Sequence, residues 1–263
     1  MKTAHVGGVD APHSGRPVAL VTGGARRIGR AIALELAAHG WDVALHHRDS
    51  AADAESALRA LASVGARGEA FAADLADEAQ CEALLPAVQA AFGRVDAVVN
   101  NASLFEYDSI DDFGYAAMER AWRANVAPAV VLARALARAG GGCVVNLLDQ
   151  KLWNPNPDHL SYTLAKAALR EATTLLAQAL APAVRVCGVA PGVTLPSGDM
   201  DAAEFAAAHT MTPLGRSSTP GDIARAVRFV LESPAITGTT ILVDGGQHLQ
   251  AQARDVLFLA RQD

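Results

Sequence analysis

Two residues of this chain are spaced for joint proton chemistry. Tyr162 and Lys166 lie four apart in Ser161-Tyr-Thr-Leu-Ala-Lys-Ala-Ala-Leu169, and residues four apart on a helix share a face. The spacing predicts an ammonium beside a phenol, and a neighbouring cation favours the phenolate, drawing the tyrosine pKa toward neutrality. An isolated phenol titrates near pH 10, too high for efficient acid–base work at pH 7. The pair recurs by chance in many helices, so its weight comes from a second segment upstream.

That segment is Arg16-Pro-Val-Ala-Leu-Val-Thr-Gly-Gly-Ala-Arg-Arg-Ile-Gly29. Val18 to Val21 are continuously apolar, as in a parallel strand covered on both faces. Gly23 and Gly29 bracket a turn, and Ile28, Ile32 and Leu36 then follow a helical period. Strand, glycine turn and helix N-terminus together aim backbone amides at a pyrophosphate, the context a dinucleotide fingerprint requires.

The elements that must position these groups recur along the chain. Strand-like runs occur at Pro17–Thr22, Trp41–His46, Gly68–Ala73, Val95–Asn100, Cys143–Leu148, Arg185–Ala190 and Thr239–Val243, with alanine-rich helical segments between them. The alternation predicts an α/β fold, a doubly wound parallel sheet of about seven strands with helices on both faces. Asp77 opens one helix with Gln80 as its capping-box partner; Thr219-Pro220-Gly221-Asp222 opens another with proline first. Neither repeat nor interdomain linker is evident, so residues 17–263 read as one domain behind a flexible tail, residues 1–16. Pro196, Ser197 and Gly198 break the pattern before a short helix predicted from Asp201 to His209.

Composition excludes several classes. Hydrophobic residues are 51% and charged residues 19% of 263, which fits a covered sheet rather than disorder. A formal charge of −6 gives no footprint for nucleic acid or an anionic membrane. No apolar stretch approaches the roughly 20 residues of a bilayer span. Cys81, Cys143 and Cys187 are too few and too far apart for a disulfide framework or a zinc set, so a reducing cytoplasm is the expected setting. No metal site is expected, with His5 and His13 of the tail included in that reading.

Thr22-Gly23-x-x-x-Arg27-x-Gly29, Asn100-Asn101-Ala102, Asn125, Tyr162-x-x-x-Lys166 and Pro191-Gly192 occur in the order and spacing of the short-chain dehydrogenases/reductases, and the chain resembles that family from about Pro17 to Gly246. The resemblance implies NAD(P)-dependent hydride transfer on a Rossmann-type fold by an Asn–Ser–Tyr–Lys group. Two positions depart from it. Arg27 replaces the middle glycine of the fingerprint, and Asp149, three residues after Asn146, stands where the serine is expected. With Asn100-Asn-Ala-Ser-Leu-Phe105, both departures resemble the pteridine reductases, among them bacterial dihydromonapterin reductases, whose phenylalanine stacks on the pterin.

The resemblance also distributes roles. It implies cofactor contacts from Gly23, Arg26, Arg27 and Ile28 in the turn, from Asp74 and Leu75 at the adenine, and from Asn101, Ala102 and Ser103. Pro191, Gly192 and Thr194 follow on the other side. It implies that Lys166 bonds the nicotinamide ribose and lowers the Tyr162 pKa, and that Asn125 holds a water relaying protons to Lys166. Arg27, Phe105, Asp149, Tyr162 and Trp153 are the expected substrate contacts, with residues about 195–213 as a mobile lid. A homotetramer is implied as well. Gln247 to Asp263 runs past the family's usual ending, and Val256-Leu-Phe-Leu259 is expected to cross a subunit interface.

Cofactor choice can be read at the second strand's end, His46-His47-Arg48-Asp49-Ser50. NAD-preferring enzymes place an acid there to bond the ribose hydroxyls, and this chain has His47, followed by Arg48. A guanidinium binds a 2′-phosphate bidentately where a carboxylate would repel it, so NADPH is the expected cofactor, with Arg26 as a second cation. Asp149 has a physical reading too. A carboxyl held among Leu147, Leu148 and Leu152 should have a raised pKa and be able to deliver the proton that reduction of a C=N bond needs. A carbonyl or 3-oxoacyl reductase is the alternative enzyme, and a non-catalytic NADP(H) sensor the alternative class, in which the catalytic Tyr or Lys is typically lost.

Overall fold

The computed structural model describes residues 15–197 and 200–260. Residues 1–14, with His5 and His13, lie outside the described residues, as does Gly198. Seven strands form one sheet: β1 (Val18–Val21), β2 (Asp42–His47), β3 (Gly68–Ala72), β4 (Ala97–Asn100), β5 (Gly142–Leu147), β6 (Val184–Pro191) and β7 (Thr240–Val243). All pairs are parallel, in the order β3-β2-β1-β4-β5-β6-β7. Each strand lies within two residues of the run that the sequence marks for it.

The continuous apolar runs are explained by the two cores they serve. Successive strand residues point to opposite faces. Ala19, Val21, Val43, Leu45, Val99 and Val145 therefore face one core, with Ile32, Leu36, Leu61, Ile223 and Val227. Val18, Leu20, Ala44, Val98 and Val144 face the other, with Leu85, Leu132 and Leu136. The first core is covered by α1 (Arg27–Ala38), α2 (Ala51–Ser63) and α8 (Pro220–Glu232). The second is covered by α3 (Glu78–Phe92), α5 (Ala127–Arg138) and the far end of α6 (Leu160–Leu180). A smaller cluster joins α4 (Tyr115–Asn125) to α6 through Ala121, Ala165 and Leu169.

The two N-terminal signals differ in outcome. Thr219 and Asp222 close a full capping box at α8, with Pro220 first. Asp77 accepts from Gln80 N at α3, but the Gln80 side chain reaches Asp74 N instead of Asp77 N, at 2.9 Å. The helix expected from Asp201 to His209 is α7 (Ala202–Thr210), capped by Asp201 in a box with Glu204. A ninth helix, α9 (Val256–Ala260), packs against α7. Among the described residues no helix is long and apolar enough to cross a membrane, and the three cysteines are free and buried.

Leu36 is fully buried where α1 meets the sheet. We expect Leu36→Ala to lower stability by about 2–5 kcal/mol, read as a lower urea midpoint at an unchanged denaturant slope.

Candidate active site

The strand order reverses at β1, which pairs with β2 on one side and β4 on the other. Ligands of open α/β sheets lie outside the carboxyl ends of the strands at such a switch point. The two loops leaving it are stitched together by Thr22. Its hydroxyl accepts from Asn101 N at 2.9 Å and Ala102 N at 3.0 Å, and the Asn101 amide donates to Thr22 O at 2.8 Å. Gly29 is required for this closeness, because a Cβ there would sit 2.2 Å from Gly23 O and 2.6 Å from Asn101 Nδ2.

His46, which the sequence reading passed over, holds the turn from the other side. Its Nδ1 accepts from Gly23 N at 3.2 Å and its Nε2 faces Ala73 O at 3.0 Å. Both bonds are satisfied by the neutral ring, and burial lowers its pKa to keep it neutral. The turn itself is left-handed at Gly23 (φ 61°) and at Arg27 (φ 52°). Arg27 thus keeps the backbone of the glycine it replaces, a conformation that costs a side chain about 1–3 kcal/mol, and so places a guanidinium at the cleft.

A cleft of about 220 Å³ opens at this edge of the sheet, lined among others by Arg27, Ile28, Asn101, Ser103, Phe105, Asp149, Tyr162, Lys166, Pro191, Gly192 and Thr194. At its base the Tyr162 hydroxyl donates to Asp149 Oδ2 at 2.8 Å, while Asp149 Oδ1 accepts from Lys151 N at 2.9 Å. Asp149 therefore both caps the short turn Gln150–Leu152 and grips the phenol. Burial pushes its carboxyl pKa up, as the sequence implied.

The expectation for Tyr162 is overturned in this geometry. Its pKa is raised well above the ordinary phenol value, first by burial and then by the Asp149 charge and hydrogen bond. Lys166 does not offset this, because its ammonium donates to Leu147 O at 2.7 Å and lies 5.8 Å from the phenol ring centre. Burial lowers the Lys166 pKa to about 8.

Other predicted residues are placed differently than expected. The Asn125 amide is bonded to the neighbouring loop: it accepts from Ser103 Oγ at 3.0 Å and Leu104 N at 2.8 Å and donates to Leu104 O at 3.0 Å. It braces the loop that carries Phe105, and its side-chain oxygen is already occupied by that loop. The Ser103 hydroxyl, expected on the phosphates, is turned to that same amide. Trp153 does not wall the cleft. It packs on the cluster beneath α6, with Arg170 over its ring at 5.7 Å.

Phe105 does line the cleft and is 42% exposed. One face of its ring stacks on His159 at 4.1 Å, and it meets Tyr162 edge-on at 4.7 Å. Asp108 fixes this loop against the catalytic helix, its carboxylate accepting from Ser161 N at 2.9 Å at the N-terminus of α6, where a negative charge is favoured. Neither Asp108 nor the buried Lys151 carries a local signal in the sequence; both matter through partners more than 50 residues away.

The other end of the cleft fits an anionic dinucleotide. The first turn of α1 has no acidic residue, and its N-cap Arg26 makes no side-chain cap bond, so the helix's first amides remain available to a phosphate. The buried His47 Nδ1 has no partner. Arg48 and Arg26 are exposed and, among the described residues, pair with Asp49, at 2.6 Å, and Asp53, at 3.6 Å. Exposed pairs are worth little and yield readily to a phosphate. Asp74 shapes its own loop, accepting from Ala76 N at 3.0 Å beside the buried Leu75. Thr194 bonds Gly192 O at 2.9 Å and Ser218 Oγ at 2.7 Å.

The sequence family described as enoyl-(acyl carrier protein) reductase matches residues 23–248. The chain is a short-chain dehydrogenase/reductase. As such it belongs to a family of NAD(P)-dependent oxidoreductases on this fold. It is 35% identical to a putative ketoacyl reductase of the granaticin polyketide synthase of Streptomyces violaceoruber, over 91% of this chain and 98% of that one. It is 33% identical to pteridine reductase 1 of Leishmania tarentolae, over 89% and 96%. Among solved structures it resembles the FolM alternative dihydrofolate reductase 1 of Brucella canis complexed with NADP, at 38% identity and a TM-score of 0.87, covering 94% of this chain and 99% of that one.

A pH dependence follows from the buried lysine. With a folded pKa near 8 against an ordinary value of about 10.4, the unfolded chain binds more protons between these limits. The Lys166 contribution is thus fully present above the unfolded value and is lost as pH falls through about 8. Relative to Lys166→Met, the cofactor-free wild type should therefore gain stability as pH rises from 7.5 to 10, measured by urea unfolding of both proteins. A constant difference would exclude a depressed lysine.

Proposed function

We propose that this reductase uses NADPH to reduce a C=N bond of a pterin, converting a dihydropterin to its tetrahydro form. The observation that carries the reading is the Tyr162–Asp149 hydrogen bond of 2.8 Å at the cleft base. In ketone reduction a hydroxyl suffices beside the phenol, because the oxygen it polarises becomes an alkoxide that takes its proton from the phenol itself. Hydride addition to C=N leaves a ring nitrogen that must take up a proton, and a carboxyl with a raised pKa is suited to deliver one. The exposed ring of Phe105, edge-on to Tyr162, offers a planar heterocycle an aromatic neighbour. The likeness to a pteridine reductase and to an alternative dihydrofolate reductase complexed with NADP supports the same substrate class and cofactor.

In this mechanism the reduced nicotinamide supplies the hydride. The α1 N-terminus, Arg26, Arg27, His47 and Arg48 hold its anionic end, with the two exposed guanidiniums Arg26 and Arg48 selecting a 2′-phosphate. Asp149 and Tyr162 share a proton across their bond and titrate as a pair, so that the pair gives a proton to the substrate nitrogen and is reloaded from solvent. Lys166, held by Leu147 O, stands below the phenol as the buried cation of the site. The cleft walls position donor and acceptor, which is the larger part of the protein's contribution. Three free, buried cysteines agree with a cytoplasmic setting, and a homotetramer is the assembly this reading carries.

Three measurements test the proposal. With NADPH, dihydromonapterin or dihydrobiopterin should turn over faster than acetoacetyl thioesters and small ketones; turnover of the ketones alone would make this a carbonyl or 3-oxoacyl reductase. Tyr162→Phe should cut turnover by orders of magnitude with NADPH binding nearly intact. Asp149→Ser should reduce pterin turnover at least tenfold more than ketone turnover, and equal losses would remove the carboxyl from the proton path.

A further inference from the structure

Among the described residues beyond Gly246, a stretch comes back over the cleft of its own chain. Val256 and Leu257 are buried, and with Gln252 and Asp255 they line the same cavity as Asp149 and Tyr162. Residues 250–255 are tied at several points to the loop that leads from Asp149 into α6. Lys151, nearly fully buried, donates from Nζ to Asp158 O at 2.7 Å and to Asp255 Oδ2 at 3.2 Å. Arg254 Nε reaches both Asp158 oxygens, at 3.0 and 2.9 Å, and Asp255 N donates to Asp158 Oδ2 at 2.7 Å. The Asn154 side chain bonds Gln250 O and accepts from Gln252 N.

A second connection runs through rings. Phe258 of α9 meets Tyr107 edge-on at 5.5 Å, Tyr107 meets His159 at 5.2 Å, and His159 carries Phe105 on its face. The segment therefore touches both groups assigned to the substrate, Asp149 through the Lys151 loop and Phe105 through the aromatic row. A buried lysine–carboxylate pair is poor value for stability compared with apolar packing, whereas removing one partner strands the other charge. Such a pair holds its two segments in one relative position.

We infer that residues 250–260 form the substrate-side wall of the active site and determine its selectivity for flat, ring-sized substrates over small ones. The Lys151–Asp255 and Arg254–Asp158 pairs are the clasp that sets the wall's position. Asp255 and Arg254 are thus positioning residues. The inference rests on the pterin reading for the identity of the flat substrate, and on the geometry alone for the wall.

The test compares full-length wild type with Asp255→Ala, Arg254→Ala and a chain ending at Leu249, each checked first for thermal melting and for NADPH binding by fluorescence. Steady-state rates are measured with dihydrobiopterin and with ethyl acetoacetate. The ratio of kcat/KM for the pterin to that for the ketoester should fall at least tenfold, mainly through a higher pterin KM, with the NADPH Kd within twofold of wild type. A ratio within twofold of wild type in a variant that still binds NADPH overturns the wall. If the truncated chain does not fold, the two point variants decide the matter. Absence of pterin turnover by wild type sinks the proposed function separately; the same ratio is then taken between the largest and smallest substrates wild type does reduce, and its constancy overturns the wall.

Discussion

A partly buried carboxyl and a buried phenol facing each other at 2.8 Å is the constraint around which this site is arranged. Burial raises the pKa of both groups; the Asp149 charge and hydrogen bond raise the phenol's further, while the phenol's hydrogen bond partly offsets the rise at the carboxyl. Two acids so placed do not ionise together at neutral pH. Everything nearby keeps that pair in register. Lys151 N caps Asp149 from one side, the Asp108 carboxylate fixes the start of α6 that carries Tyr162, and Lys166 is anchored to the end of β5. Serine in place of Asp149 would leave the phenol a neutral partner, suited to polarising an oxygen.

The sheet supplies the second constraint. Its strand order reverses between β1 and β4, and Thr22 holds the two diverging loops within hydrogen-bond distance of each other. The first amides of α1, which no side chain caps, thereby lie beside the glycine turn, where a phosphate is favoured. The departure from glycine at Arg27 retains the left-handed backbone and exchanges freedom from strain for a positive charge beside Pro196, whose carbonyl it bonds at 2.7 Å. Arg27 is in this way the contact between the cofactor turn and the segment leading into α7.

Charge also explains how the cleft is closed. The loop after Asp149 and the chain's final described helix are joined by two carboxylates and two cations, three of whose four side chains are mostly covered. Hydrophobic packing alone would bring these segments together without fixing their register. The buried pairs fix it, and the aromatic row from Phe258 to Phe105 carries the same alignment to the opposite wall.

Local pattern determined much of this protein. The seven strands were legible because a parallel strand buried on both faces must be apolar throughout, and the glycine turn because close backbone approach excludes side chains. The Tyr162 and Lys166 positions were legible from their spacing, and Asp149 from the family resemblance. Tertiary structure alone decided how these groups are ionised, because a pKa depends on burial and on partners distant in the chain. The spacing of Lys166 suggested a lowered tyrosine pKa, and burial together with the Asp149 charge reversed it. His46, Asp108, Lys151 and Asp255 left no mark in the sequence for the same reason: each acts through a residue brought to it only when the sheet closes.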